Sequence, residues 1–280
     1  MTIAPPPALD RALGRCDLTA FAINRVIGAG IFGLPALLYA GVGPASIVAM
    51  FLAGLVVLGI TLCMAEVGSS FSATGGPYLY AHETFGPVVG FEIGWLMWVT
   101  QLGGFASVTN LFVNYLGWFF PDVTAGLPRI AIIATVLACL TVVNILGVRR
   151  AAAVNNILTA GKMIPLALFV IVGLFYVDGA LLVPTTVPTA AALSGAVLLA
   201  IYAFTGFEVL GVPGGEVRDP ARTIPFALLT GLAIVAVVYL GVQTVAVGTL
   251  PDLGASARPL ADSAERVFGR TGALVMVAGA

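Results

Sequence analysis

The sequence predicts an all-α integral membrane protein, and three observations carry that prediction. Of the 280 residues, 60% are hydrophobic and only 9% are charged, against about 25% charged in a soluble domain, whose surface must face water. The mean hydropathy is +1.08. The few charges are also gathered into short stretches. None lies between Arg25 and Glu66, Glu92 and Asp122, Arg129 and Arg149, Asp178 and Glu208, or Arg222 and Asp252, and only Lys162 lies between Arg150 and Asp178. Each gap holds a helix of ~20 residues, the length that crosses ~30 Å of hydrocarbon. The first gap holds two, divided at Gly41-Val42-Gly43-Pro44.

The same composition excludes several function classes. A net charge of −1 with no basic stripe offers nothing to neutralise phosphates, so nucleic acid is not a partner. Cys16, Cys63 and Cys139 are odd in number and scattered, and His82 is the one histidine. These make neither a disulfide framework nor a metal site, and no cofactor is expected. No G-x-x-x-x-G-K-[ST] loop for ATP is present, which turns attention to transport without hydrolysis.

Taken in order, residues 1–17 form a polar tail containing Pro5-Pro6-Pro7, with the composition of a disordered segment. A single transmembrane domain covers 18–280. Apolar runs place spans at roughly 18–40, 44–68, 88–119, 127–147, 153–177, 191–215 and 224–249. An eighth run opens near Thr271, and Ala280 falls inside it. About ten residues are too few to cross a bilayer as a helix, so the reading expects a longer protein whose C-terminal part is absent here. Arg11, Arg15, Arg149, Arg150, Arg218 and Arg222 fall in the tail and in loops of one side, while the loops at 41–44 and 178–190 carry no Lys or Arg. The positive-inside rule makes the arginine side cytoplasmic, N-terminus included, in a cell membrane. The longer loop at 250–270, with Arg258, Arg266 and Arg270, runs against the trend.

Two spans are interrupted by glycine. The first contains Val26-Ile27-Gly28-Ala29-Gly30-Ile31-Phe32-Gly33-Leu34-Pro35. Gly28 to Gly33 match the dinucleotide pattern G-x-G-x-x-G, but that motif needs a βαβ unit and an acidic residue about 20 positions on, and the next charge is Glu66. Close helix packing through small residues is a second reading. The third is unwinding: glycines near mid-membrane free backbone groups, and N–H groups at the start of the second half-helix sit at its positive dipole end, where they suit a carboxylate. The sixth span has a comparable interruption at Phe204-Thr205-Gly206-Phe207-Glu208, followed by Gly211, Pro213, Gly214 and Gly215. It is either a kinked packing helix or a place where free carbonyls hold an ammonium. Spans one and six stand five apart, as an inverted repeat of five helices requires.

At these residues the chain resembles the amino acid–polyamine–organocation transporter family. Gly28-Ala29-Gly30-Ile31-Phe32 resembles its G-[SA]-G-I-F break. Gly75-Gly76-Pro77-Tyr78-Leu79-Tyr80, with Gly86-Pro87, Gly90-Phe91 and Gly94-Trp95-Leu96-Met97-Trp98, resembles its loop and third helix. Glu216-Val217-Arg218-Asp219-Pro220-Ala221-Arg222-Thr223-Ile224-Pro225 resembles its loop after helix six. The resemblance implies a five-plus-five inverted-repeat fold, present here in part, with discontinuous helices one and six. It implies alternating-access transport of an amino acid or related small amine, coupled to protons or to exchange. The substrate carboxylate would sit on N–H groups near Ile27, Gly28, Ala29, Gly30 and Ile31. The ammonium would sit on carbonyls near Phe204, Thr205 and Gly206, with Phe207 as a gate.

Charges inside the membrane are candidates for coupling. Lys162 lies about nine residues, or ~13 Å, into the fifth span, where it either snorkels or pairs structurally, or serves function. In some members of the resembled family a lysine on helix five stands where related transporters bind sodium, and Lys162 fits that pattern. Glu208 either caps exposed backbone N–H groups or gates. Arg25 reads as an anchor or intracellular gate. Asn24, Thr100, Gln101 and Asn110 either line the path or pack helices. Trp95, Trp98 and Trp118 read as interface or packing residues, and Glu66 and Glu92 as interfacial. The competing class is a membrane-embedded enzyme acting on lipid-linked substrates, with Glu66, His82 and Glu83 of one loop as its catalytic groups. That class leaves the paired breaks unexplained. An inactive, transporter-like remnant is a third possibility.

Overall fold

The computed structural model describes residues 9–28, 30–117, 120–184 and 186–279. The described residues are mostly helical, with helices α1 (Arg15–Val26), α2 (Gly30–Val42), α3 (Ser46–Ser69), α4 (Pro77–Phe85), α5 (Pro87–Leu116), α6 (Gly126–Ile145), α7 (Val148–Gly173), α8 (Gly179–Leu182), α9 (Ala190–Ala203), α10 (Pro220–Thr249) and α11 (Pro259–Gly279). Five helical stretches among the described residues are long and apolar enough to cross a membrane: 30–69, 126–145, 148–176, 190–211 and 220–249. The expected spans correspond to α1 with α2, then α3, α5, α6, α7, α9 with the turns after it, and α10. The division expected at Gly43 is a turn with φ 58°, closed by a 3-10 turn over Gly43–Ala45 before α3 begins.

The core lies around α10. Its buried positions include Gly231, Val235, Val238, Tyr239, Val242 and Ala246, spaced at three and four residues so that they share a face. Small residues bring its neighbours close. A Cβ on Gly231 would stand 2.7 Å from that of Ala22 in α1, and Gly173 of α7 leaves room for Val245. Outward faces carry large apolar side chains, such as Phe51, Leu55, Leu58 and Leu62 on α3, while Met50, Ala53, Val57 and Thr61 of the same helix are buried. An apolar outer face beside an equally apolar inner one is what hydrocarbon on the outside permits.

Three segments differ from the sequence reading. The tail expected to be disordered to residue 17 is bonded from residue 10 on. Leu13 N–H donates to Glu216 O at 3.0 Å and Arg218 N–H to Leu13 O at 2.9 Å, a parallel bridge between Leu13 and Val217, and α1 begins at Arg15. Two backbone bonds to the loop after the sixth span supply the order that composition alone does not. The loop expected at 250–270 contains the first part of α11, which turns at Gly269 with φ 69° and ψ −169°. Its charges Glu265 and Arg266 are the exposed face of an amphipathic turn whose other face buries Leu260, Ala261 and Ala264. Likewise Gly75-Gly76-Pro77 opens a helix, α4, because Gly76 takes φ 55° and proline is favoured at the first helical position.

The bundle brings the tail and two arginine-bearing loops to one end. Arg149 pairs with Asp10 at 3.2 Å, and Arg218 Nε donates to Arg11 O at 3.1 Å.

Candidate functional site

The first interruption follows from the glycines. Helix α1 stops at Val26. Ile27 has left helical geometry at φ −75° and ψ 85°, and Gly28 N–H folds back onto Val26 O at 2.8 Å. Ala29, expected at the centre of this break, lies outside the described residues. Helix α2 resumes at Gly30, so its first N–H groups have no partner within the helix and carry the positive end of its dipole. Nothing lies within 4 Å of a Cβ placed on Gly28, Gly30 or Gly33. Close packing therefore does not account for these glycines; they face open space.

The second interruption has a different cause. Helix α9 ends at Ala203, and Gly206 takes φ 116°, a conformation that side chains disfavour, before a 3-10 turn over Phe207–Gly211. A Cβ on Gly206 would stand 2.5 Å from Arg25 O. The two interruptions therefore meet backbone to backbone. The later glycines serve another contact. A Cβ on Gly211 would collide with the Tyr80 hydroxyl, and one on Gly214 would lie 2.7 Å from Ala73 O. These glycines let the loop before α4 close against the sixth span.

Side chains from three helices hold the junction. Lys162 Nζ on α7 donates to Asn24 O at 3.1 Å and Ile27 O at 2.5 Å, carbonyls of the last turn of α1 that unwinding leaves free. Lys162 begins a polar stripe down α7 toward the arginine end. Thr159 Oγ1 donates to Ala20 O at 3.3 Å, Asn155 Oδ1 accepts from Asn24 Nδ2 at 2.6 Å, and Asn156 Nδ2 donates to Asp17 Oδ1 at 2.9 Å. Glu208 accepts from Gly206 N–H at 2.7 Å, the capping geometry weighed for it above. Arg25 donates to Gln101 Oε1 on α5 at 2.6 Å, so Gln101 joins the junction. Thr205 Oγ1 donates to Tyr202 O at 2.8 Å. Ile27, Ile31, Phe204 and Phe207 are buried. Thr100, Trp95 and Trp98 are exposed on α5. Asn110 accepts from Arg129 at 2.6 Å at the far end of that helix, and Trp118 lies outside the described residues.

A cleft of about 550 Å³ lies beside α1 on the arginine end, lined by Asp17, Phe21, Asn24, Arg25, Asn155 and Glu216 among others. The groups weighed for an enzyme do not form one loop. Glu66 lies on α3, while His82 and Glu83 lie on α4, and His82 packs against Tyr78 with ring centroids 5.8 Å apart.

One residue at the junction escaped the sequence reading. Tyr239 on α10 is fully buried, and its hydroxyl stands 2.9 Å from Val26 O and 3.1 Å from Ala203 O. A lone tyrosine in the run Val237-Val238-Tyr239-Leu240 carries no signal of its own. Only its acceptors, 213 and 36 residues away in sequence, give it meaning.

A family described as amino acid permease matches residues 13–280. Among similar proteins, the serine/threonine exchanger SteT of Bacillus subtilis is 30% identical over 241 residues, covering 83% of this chain and 53% of its own length. The methylthioribose transporter of the same organism is 31% identical over 262 residues, covering 87% and 56%. The cadaverine/lysine antiporter of Escherichia coli is 30% identical over 266 residues, covering 92% and 59%. The chain thus spans about half the length of the curated relatives it matches.

Proposed function

The chain belongs to the amino acid permease family, and from that premise we propose that it forms the substrate-binding part of a secondary transporter for amino acids or related small amines, working by alternating access. The observation that carries the proposal is the backbone contact between Gly206 and Arg25 O. It sets the end of α1, just before the break that leads to α2, against the turn that follows α9. Opposite dipole ends facing one space suit a zwitterion. The carboxylate goes to the Gly30–Ile31 end of the break at 27–31. Gly28 N–H is already engaged with Val26 O and contributes only after the loop rearranges. The ammonium goes to the Phe204–Gly206 end, with Phe207 beside it.

In this reading Lys162 is the coupling group. Its ammonium occupies a position where backbone carbonyls would otherwise coordinate a cation, and losing its proton would release Asn24 O and Ile27 O. Glu208 holds the second interruption in shape through Gly206 N–H. The arginine-bearing end is cytoplasmic by the positive-inside rule, so the cleft through Asp17 and Asn24 is an inward path. Relatives named for serine and threonine, methylthioribose, and cadaverine and lysine are similar to this chain in sequence, which favours small polar solutes over any single one.

Counterflow in proteoliposomes tests the reading. Vesicles preloaded with an unlabelled amino acid are expected to accumulate the labelled one transiently. Absence of counterflow across the common amino acids and small diamines would sink it. Lys162→Gln is expected to abolish the proton dependence of uptake while leaving the folded protein intact. Unchanged proton dependence would remove Lys162 from the mechanism.

A further inference from the structure

Among the described residues Tyr239 is the largest wholly buried side chain, and its one hydroxyl sits between the last helical carbonyls of both interrupted spans. Val26 closes α1 and Ala203 closes α9. The oxygen lies 2.9 Å from Val26 O and 3.1 Å from Ala203 O. A phenol has a single proton, so the two carbonyls share one donor. Val26 O also accepts from Gly28 N–H at 2.8 Å, which makes Ala203 O the more dependent of the two. The ring is fixed by Phe204, with centroids 5.1 Å apart and planes tilted by 56°. Water does not reach this hydroxyl, so a carbonyl that loses it has no substitute.

We infer that Tyr239 is a positioning residue that ties the two interruptions to each other through α10, and that substrate affinity depends on its hydroxyl. The inference rests on the proposed transport function for its affinity part alone; the tie is a property of the fold. Substrate groups bound to the two breaks must be met at one separation. A hydroxyl bonded to both helix ends sets that separation before binding, and less order has to be imposed when substrate arrives. The hydroxyl touches no substrate in this scheme. It acts through the backbone at Val26 and Ala203.

Tyr239→Phe keeps the ring and removes the oxygen, whereas Tyr239→Leu removes both. Amide hydrogen exchange on the detergent-purified protein reads the tie directly. Tyr239→Phe is expected to speed exchange at Gly28 and at Phe204–Gly206 by about tenfold, with little change along the rest of α10. In reconstituted exchange assays KM is expected to rise by about tenfold with maximal rate within about twofold. If Tyr239→Phe exchanges amides like the unmodified protein and only Tyr239→Leu differs, the residue is a ring filler and the inference is overturned. If the breaks loosen while KM stays fixed in a transporting protein, the link to affinity is overturned. A protein that transports nothing defeats the proposed function, yet the amide measurement still decides the tie.

Discussion

At the residue scale, the two glycine groups look alike in sequence and do different things. Gly206 has two reasons to be glycine: a φ of 116° and a position where a Cβ would stand 2.5 Å from Arg25 O. Gly206→Ala is expected to destabilise the protein by about 2 kcal/mol, from backbone strain and overpacking together, and to abolish transport; thermal unfolding in detergent measures the first. Gly28→Ala meets open space and is expected to change stability by no more than about 0.5 kcal/mol. A large loss of uptake by Gly28→Ala at unchanged melting would then report on room for substrate. Equal melting of both variants would contradict the contact between the interruptions.

At the scale of elements, α7 grips α1 along a polar stripe of Asn155, Asn156, Thr159 and Lys162, spaced so that they share a helix face. Such a stripe suits an interface that must hold one register, since a shift by a turn would strand each group in an apolar setting. A double-mutant cycle on Asn24→Ala and Asn155→Ala is expected to give a coupling of about 0.6 kcal/mol, the usual size of such bonds inside membranes. Strict additivity would mean the pair contributes no specificity. The other end of α1 is clipped by the bridge between Leu13 and Val217. The half-helix is therefore tied at its start to the loop after the sixth span and at its finish to α7 and α10.

At the scale of the whole molecule, the arginine-bearing tail and loops gather at one end through the pairs Arg149–Asp10 and Arg218–Arg11. Topology therefore reduces to one question, which side that end faces. Arg222, its side chain 78% exposed, is a suitable reporter. With Cys16, Cys63 and Cys139, all free and exposed, replaced by Ser, a Cys placed there as Arg222→Cys is expected to react with a membrane-impermeant maleimide in inside-out vesicles and not in intact cells. The opposite pattern would invert the topology and turn the cleft at Asp17 and Asn24 into an outward path.

Membrane character, the membrane-length runs and the places where two spans break are properties of composition and short-range pattern. Hydrocarbon demands apolar runs of a set length, and clustered glycines let a helix unwind where they stand. Those features were legible at Gly28–Gly30, at Phe204–Gly206 and at the charge-free gaps, as was the membership implied by the matching motifs. The bonded tail and the helix beginning at Pro259 were missed, since each is ordered by partners that composition does not reveal. Only the tertiary structure decided that Gly206 touches Arg25, that Lys162 reaches Asn24 and Ile27, and that Tyr239 lies between two helix ends. Each of those contacts joins residues far apart in the chain, and their energies depend on distance in space, which local sequence does not encode.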